Sequence, residues 1–336
     1  MFIDRTNLRR RMATIGAAAL MATMVAGAAD AQTVIKLGWP TSDTETDPYA
    51  IMARTFADEL EKAAPGKYKV QFYGNHQLGD ETQMLQGLQL GTLEVGVFTS
   101  TYVGNIAPAF QLNDLPFMYA DYDTANTVLD GEVGQAILGT LDSKGMTGLT
   151  FGQGGFRNVI NNTRPINTPD DLAGIRLRVQ PSDLFLDTFR ALGANPVPMT
   201  WSDVFTAVQQ GTVDGLEIPL PVIYANKYPE VTKYLSLTKH TYNAIALIGS
   251  KQFIGRMSDE DRQVMMDAAK AAAARQRETM TGIEADIVDK IKEAGMEVND
   301  VSDLAPFRER VTDIYESYRD TIGPEIFDLA MEKTKS

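Results

Sequence analysis

The sequence predicts an α/β protein of two similar lobes, with one long helix running across both. Three observations predict it. Strand-like and helix-like segments alternate along the chain. The segment Leu88-Gln89-Leu90-Gly91-Thr92-Leu93-Glu94-Val95-Gly96 is echoed by Val208-Gln209-Gln210-Gly211-Thr212-Val213-Asp214-Gly215-Leu216. Each reads as a helix end, a glycine cap, a threonine and a strand opening on an acidic residue; glycine caps are common, so chance is the alternative. Finally, helical character persists from the Ser258-Asp259-Glu260-Asp261 capping box to Gly295. That is roughly 35 residues, or about 50 Å, too long for one small domain. Two helices broken near Gly282 are the alternative.

In chain order, residues 34–39 read as a buried strand. Asp47 caps a helix whose first position is Pro48; Met52, Phe56 and Leu60 follow at helical spacing, and Pro65-Gly66 stops it. Tyr68, Val70 and Phe72 alternate with polar neighbours as a second strand. Residues 80–90 form a helix with Met84, Leu85 and Leu88 on one face, ended by Gly91, and residues 93–98 form the next strand. In the second half, residues 148–151 and 175–179 read as strands. Residues 183–192 and 203–210 read as helices closed by Gly193 and Gly211. A final amphipathic helix runs from Leu304 to Ser317 and onward, with Phe307, Val311, Ile314, Tyr315 and Tyr318 as its apolar positions.

The N-terminus is read as a targeting segment. Arg5, Arg9, Arg10 and Arg11 precede an apolar stretch of modest length that ends in Ala29-Asp30-Ala31, the layout of a secretory signal peptide over residues 1–31. The apolar run is shorter than the ~20 residues a membrane span needs. Residues after the arginine run fit the twin-arginine pattern poorly, which favours the general export route. Removing residues 1–31 takes away four arginines and two aspartates, so the net charge moves from −13 to −15.

Composition narrows the function. The 336 residues contain no cysteine and two histidines, His76 and His240. Thiolate catalysis, disulfides and cysteine-based zinc sites are excluded, and no H-E-x-x-H is present. Net acidity argues against nucleic acid, whose phosphates need clustered cations. No G-x-S-x-G elbow or Walker lysine occurs; Gly152-Gln153-Gly154-Gly155 is glycine-rich without either pattern. The reading is not an enzyme: no catalytic residue, no metal and no cofactor is expected.

The informative charges are Arg157, in Phe156-Arg157-Asn158, and Arg176 and Arg178, in Ile175-Arg176-Leu177-Arg178-Val179. Strand alternation puts both arginines of the second run on one side. A guanidinium at a strand end offers a carboxylate two parallel charge-assisted hydrogen bonds. The alternative is surface arginines facing water or closing an internal ion pair.

At these residues the sequence resembles the solute-binding proteins of tripartite ATP-independent periplasmic (TRAP) transporters, in the dicarboxylate-receptor branch. The resemblance spans nearly the whole chain after residue 31. It is carried by His76-Gln77-Leu78-Gly79-Asp80-Glu81, Leu88-Gln89-Leu90-Gly91 and Asp114-Leu115-Pro116-Phe117. It continues through Gly174-Ile175-Arg176-Leu177-Arg178-Val179, Leu192-Gly193-Ala194, Pro198-Met199, Ser202-Asp203-Val204 and Gly211-Thr212-Val213-Asp214-Gly215.

The resemblance implies a periplasmic binding-protein fold, with hinge strands and a long helix joining the lobes. Expected limits are 32–154 plus about 244–282 for lobe I, and 155–243 plus about 283–336 for lobe II. It implies that Arg178 holds the ligand carboxylate, with Arg157 assisting and Trp201 lining the pocket. Trp39 or Pro40, Glu81, Thr99 and Tyr102 match contacts from the first lobe. Relatives often read Glu-Asn-Pro where this chain has Glu217-Ile218-Pro219, so Ile218 makes the expected pocket more apolar. For Trp39 and Trp201 the alternative is an ordinary core aromatic. The expected function is capture of a small organic acid anion, a carboxylate of the sugar-acid or dicarboxylate kind, by domain closure in the periplasm. The anion would pass to the membrane subunits of a TRAP permease, with no membrane insertion of this chain after cleavage and no nucleic-acid partner. The rival readings are a receptor for an ATP-driven importer and, further off, a periplasmic hydrolase.

Overall fold

The structure, a computed structural model, describes residues 32–334. The expected signal peptide lies outside the described residues. The first half runs β1 (Thr33–Gly38), α1 (Pro48–Ala63), β2 (Tyr68–Tyr73), α2 (Glu81–Leu90), β3 (Val95–Thr99) and α3 (Ser100–Gly104). The Asp47 carboxylate accepts from the Tyr49 and Ala50 amides at 2.9 and 3.2 Å, while Pro48 has no amide to satisfy. Asp80 and Gln83 close a capping box on α2, and Gly91 ends it at φ 73°.

Two helices, α4 (Tyr122–Asp130) and α5 (Glu132–Gly139), lead into β4 (Met146–Asn161). The strand expected at 148–151 is only the start of this 16-residue element. It passes straight through Gly152-Gln153-Gly154-Gly155, where its register against its neighbour slips between Gln153 and Phe156 and Gly155 adopts φ 100°. The second half continues as β5 (Arg176–Val179), α6 (Asp183–Ala191), β6 (Asn195–Pro198), α7 (Trp201–Gln209), β7 (Gly215–Pro219) and α8 (Leu220–Ala225). The 17-residue β8 (Tyr234–Ser250) then returns alongside β4.

All strands join one sheet in the order β2-β1-β3-β8-β4-β7-β5-β6, and β9 (Glu297–Asp300) pairs with β8. The order is a palindrome of halves. β1 is parallel to β3 and β5 to β7, while β3 is antiparallel to β8 and β7 to β4. The repeat seen in the sequence recurs in the backbone hydrogen bonding. Thr92 and Leu93 amides bond the Gly87 carbonyl, as Thr212 and Val213 bond that of Ala207. Glu94 accepts from the Lys36 amide at 2.9 Å, and Asp214 from the Arg176 amide at 2.8 Å. Each acid also pairs with the side chain of the residue whose amide it takes. Arg176 is therefore held by Asp214 at the start of β5.

Alternation along β8 divides the core in two: Tyr242, Ala244, Ala246 and Ile248 face one layer of helices, Leu235, Ile245 and Leu247 the other. Over the second face lies α9 (Asp259–Glu293), a single 35-residue helix unbroken at Gly282. Its buried stripe, including Met265, Ala268, Ala269, Ala272, Ala273, Met280 and Ile287, repeats every three or four residues. It packs on α1 in the first half and on α8 in the second. Gln276 on this helix grips the glycine-rich part of β4, accepting from the Gln153 amide at 3.0 Å and donating to its carbonyl at 2.7 Å. The expected last helix is three short ones, α10 (Ala305–Arg310), α11 (Thr312–Ile322) and α12 (Pro324–Lys333). Val311 leaves helical geometry at φ −108°, ψ 9°, and Gly323 at φ 104° precedes Pro324.

Candidate ligand-binding site

The carboxyl ends of β1, β3, β5 and β7 converge on one small cavity at the centre of the sheet, the place where open α/β sheets present ligand sites. Strand β3 ends there with Thr99 and runs into Tyr102 on α3. Strand β5 delivers Arg178, β7 delivers Ile218, and β4 supplies Arg157 from the side. Glu81 opens α2 and Trp201 opens α7, both against the same space. The cavity is small, about 30 Å³.

Arg178 is 1% exposed. Its Nε and Nη2 donate to the Met199 carbonyl at 2.9 and 2.6 Å, and its guanidinium lies 5.9 Å from the Trp201 ring centroid. Among the described residues it has no carboxylate within 4.0 Å. Burial accordingly pushes its pKa down. A buried cation without a counter-ion is expensive unless something anionic enters beside it.

Arg157 is the opposite case. It grips Glu217 in a two-point ion pair, with Nη2 2.9 Å from Oε1, and also donates to the Glu217 carbonyl at 2.6 Å. Its Nη1 donates to Asn243 Oδ1 at 3.0 Å. His240 completes the cluster, with Nε2 3.2 Å from Glu217 and Nδ1 2.8 Å from the Thr238 hydroxyl, so Nε2 carries the proton. Burial pushes Glu217 up, but Arg157 and His240 outweigh it and hold the carboxyl below its usual range. Burial keeps His240 neutral by lowering its pKa.

Glu81 is the acid in the wall, and two further buried acids, Asp114 and Asp47, lie outside the lining; burial shifts all three upward. Burial raises Glu81 to about 8, although its Oε1 accepts from the Thr99 amide at 2.8 Å. Burial also raises Asp114, behind Thr101, to about 7 and the helix cap Asp47 to about 6. The unfolded chain gives up these protons near pH 4, whereas the native state retains them, so raising the pH favours unfolding. Below 6.5, the ordinary His240 value, its opposite shift competes. The ligand-free protein is therefore expected to lose on the order of 2 kcal/mol between pH 6.5 and 8. Thermal melts across that window check this, with Glu81→Gln flattening the slope. A midpoint that holds or rises with pH contradicts it.

Of the residues singled out in the sequence, Arg178, Arg157, Trp201, Ile218, Glu81, Thr99 and Tyr102 line this cavity. Two do not. Trp39 shares the face of Ile35 and Leu37 and is fully buried in the core, edge-on to Phe72 and pressed against Gly74. Its neighbour Pro40 reaches the cavity instead. Glu217 lies behind Arg157 rather than in the wall. Thr41, Tyr49, Gln180, Pro219 and Val222 complete the lining and were not singled out; Gln180 was the most accessible, two residues beyond Arg178. A larger cavity of about 730 Å³ lies between α5 and α9, but its half-buried Arg277 is already held by Asp130. It offers no unpaired charge at a strand end.

Fold and site together define a two-lobed binding protein, built to enclose a small solute where its two halves meet. Residues 41–321 match the family model described as bacterial extracellular solute-binding protein, family 7. The chain belongs to that family. A solute-binding protein of Verminephrobacter eiseniae is 36% identical over 83% of this chain and 83% of its own length. Among solved structures, a TRAP periplasmic solute-binding protein from Polaromonas sp. JS666 bound to D-erythronate is 35% identical. It covers 89% of this chain and 98% of its own, with a TM-score of 0.85. The sugar acid binding protein of Advenella mimigardefordensis, in complex with galactonate, is 33% identical, covers 90% and 98%, and has a TM-score of 0.86.

Proposed function

We propose that this protein is the periplasmic solute-binding subunit of a TRAP transporter, capturing a small organic acid anion and delivering it to a membrane permease. The observation that carries the reading is Arg178, buried without a carboxylate partner at a strand end. The bound solutes of the two solved relatives, D-erythronate and galactonate, are carboxylates and support it. So does the architecture. A cut through β4 near 154/155 and β8 near 243/244 separates lobe I (32–154 with 244–282) from lobe II (155–243 with 283–336). The β4 register slip falls at that cut. Hinge motion there would open the cavity, and α9 would span both lobes. Ser42 and Asn105 on one side bond Asn226 and the Pro181 carbonyl on the other, contacts that closure would make. No described helix is long and apolar enough to cross a membrane.

A thermal-shift screen with D-erythronate, D-galactonate and succinate tests the reading. A ligand at ~100 times its Kd adds about 2.7 kcal/mol, enough to move the midpoint by several degrees. Binding without chemical change of the solute is the expected result. Absence of a shift with every carboxylate, or appearance of product, sinks it.

A further inference from the structure

We propose that the open edge of β4 at residues 146–150 is a docking groove for an extended segment of a different polypeptide. That segment adds to the sheet as a strand and brings an acidic side chain to Lys270. The groove shares no residue with the solute cavity.

The internal symmetry of the sheet points to the missing strand. The β4–β8 ladder runs from Met146 opposite Ser250 to Asn161 opposite Tyr234. Exchanging the two halves therefore maps residues 234–237 of β8 onto residues 146–149 of β4. On its outer side, β8 pairs there in parallel with β9, from Tyr234 to Leu237. Among the described residues, 146–149 pair with β8 alone, because β7 joins β4 only from Arg157 onward. An unpaired edge offers its backbone donors and acceptors to another chain. Farther along β4 the long helix α9 takes the place of a strand. Gln276 holds both the amide and the carbonyl of Gln153, and Arg277 Nη2 donates to the Phe151 carbonyl at 3.1 Å. Towards the start of β4 the helix presents Met266, Lys270 and Ala273 instead, and the groove opens.

The cavity of about 730 Å³ between α5 and α9 has Thr147, Gly148, Leu149 and Thr150 along one wall. Its charges are unbalanced in one direction. Asp130 is taken by Arg277 and Asp142 by Lys251, whereas Lys270 has no anionic partner among the described residues. Arg277 Nε is also buried without a hydrogen-bond partner. Leu129, Leu138, Leu149 and Met266 supply apolar lining. Alternate side chains of a strand point to opposite faces. An entering segment that alternates apolar with polar residues, Asp or Glu among them, meets both the lining and the free cation. Backbone pairing then supplies affinity and the side-chain pockets supply selection. Strand β9, Glu297-Val298-Asn299-Asp300, already has this character on the equivalent edge.

A capped peptide with the sequence of residues 296–301, Met-Glu-Val-Asn-Asp-Val, is the probe. Calorimetric titration at low salt is expected to show saturable binding with a Kd below about 1 mM. Hydrogen-exchange mass spectrometry should show slowed exchange at residues 146–150. Gly139→Trp blocks the groove: Gly139 lines it, has helical backbone angles, and a Cβ there meets nothing within 4 Å. That variant should weaken the peptide at least about tenfold, with its thermal midpoint and solute binding unchanged. Lys270→Glu should weaken it by about tenfold through like-charge contact. A peptide carrying Gln and Asn in place of the two acids should bind that variant and the wild type alike. Absence of saturable binding overturns the proposal, as does peptide binding that Gly139→Trp leaves unchanged. Protection at residues 234–237 in place of 146–150 also overturns it, since the peptide would then be replacing β9. Self-association of the chain that Gly139→Trp abolishes would make the occupant a second copy, against the different partner proposed.

Discussion

Arg178→Ala is expected to weaken carboxylate binding by at least about 100-fold while leaving the ligand-free protein folded and no less stable by more than a few degrees. The two halves of that expectation come from the same geometry. In the bound state the guanidinium would supply a two-point, desolvated charge pair, and truncating such a partner typically costs about 2–5 kcal/mol of affinity. In the ligand-free state Arg178 has no carboxylate to release; its contacts are the Met199 carbonyl and the Trp201 face. Deleting it removes a buried, unpaired charge, a gain that offsets the lost packing. Arg178→Lys should fall between, since it keeps the charge but loses the planar fork. Titration calorimetry and thermal melts on the same samples read both halves. Affinity within threefold of wild type would place the carboxylate elsewhere.

This also resolves how an acidic chain holds an anion. The overall charge of −13 repels the solute at long range, but solvent ions screen that field beyond roughly 10 Å. Within the closed cavity the local balance is what counts, and there the only uncompensated group is a cation. Glu217 and Arg157 cancel, and Glu81 keeps its proton.

Local rules made much of the fold legible. The Asp47-Pro48 start, the left-handed Gly91 and Gly211 caps, and the unbroken stripe of α9 each depend on neighbours within one or two turns. Strand β4 was legible only in part, because four residues with three glycines have poor strand propensity. What holds them extended is remote: β8 pairs alongside, and Gln276 clasps Gln153 from 123 positions away. The last helix was read as running onward past Ser317 with no end assigned, although Gly323-Pro324 carries a sound stop signal. For Trp39 the core alternative is the one the structure shows, as its period-two match with Ile35 and Leu37 already indicated. Arg178 was legible as a charge on a strand. Its lack of a carboxylate partner was not. The partner of Arg157 was also remote, though register explains it. Arg157 sits opposite Pro219 and Val159 opposite Glu217, which makes Arg157 and Glu217 diagonal neighbours on one sheet face.

That diagonal pair carries the largest expected effect on stability. Glu217→Ala leaves the Arg157 guanidinium 4% exposed, facing Asn243 and the Phe185 ring with no anion in reach. Breaking one side of a buried ion pair typically costs about 3–5 kcal/mol, so the thermal midpoint should fall by roughly 10 °C. His240 adds to the loss, because its Nε2 proton then has no acceptor. The effect arises from the stranded charge more than from the lost bond, and a double replacement separates the two. If Arg157→Met is introduced together with Glu217→Leu, no charge is left behind, and the double variant should be more stable than Glu217→Ala alone. Glu217→Gln should lie between them, since its amide keeps one acceptor for Arg157 but no charge. Thermal and urea melts of the four proteins in the absence of solute decide the matter. A double variant that is the least stable of the set would mean that the pair is net stabilising in itself. Arg157 would then be held in the cavity wall by attraction rather than by the penalty for leaving it alone.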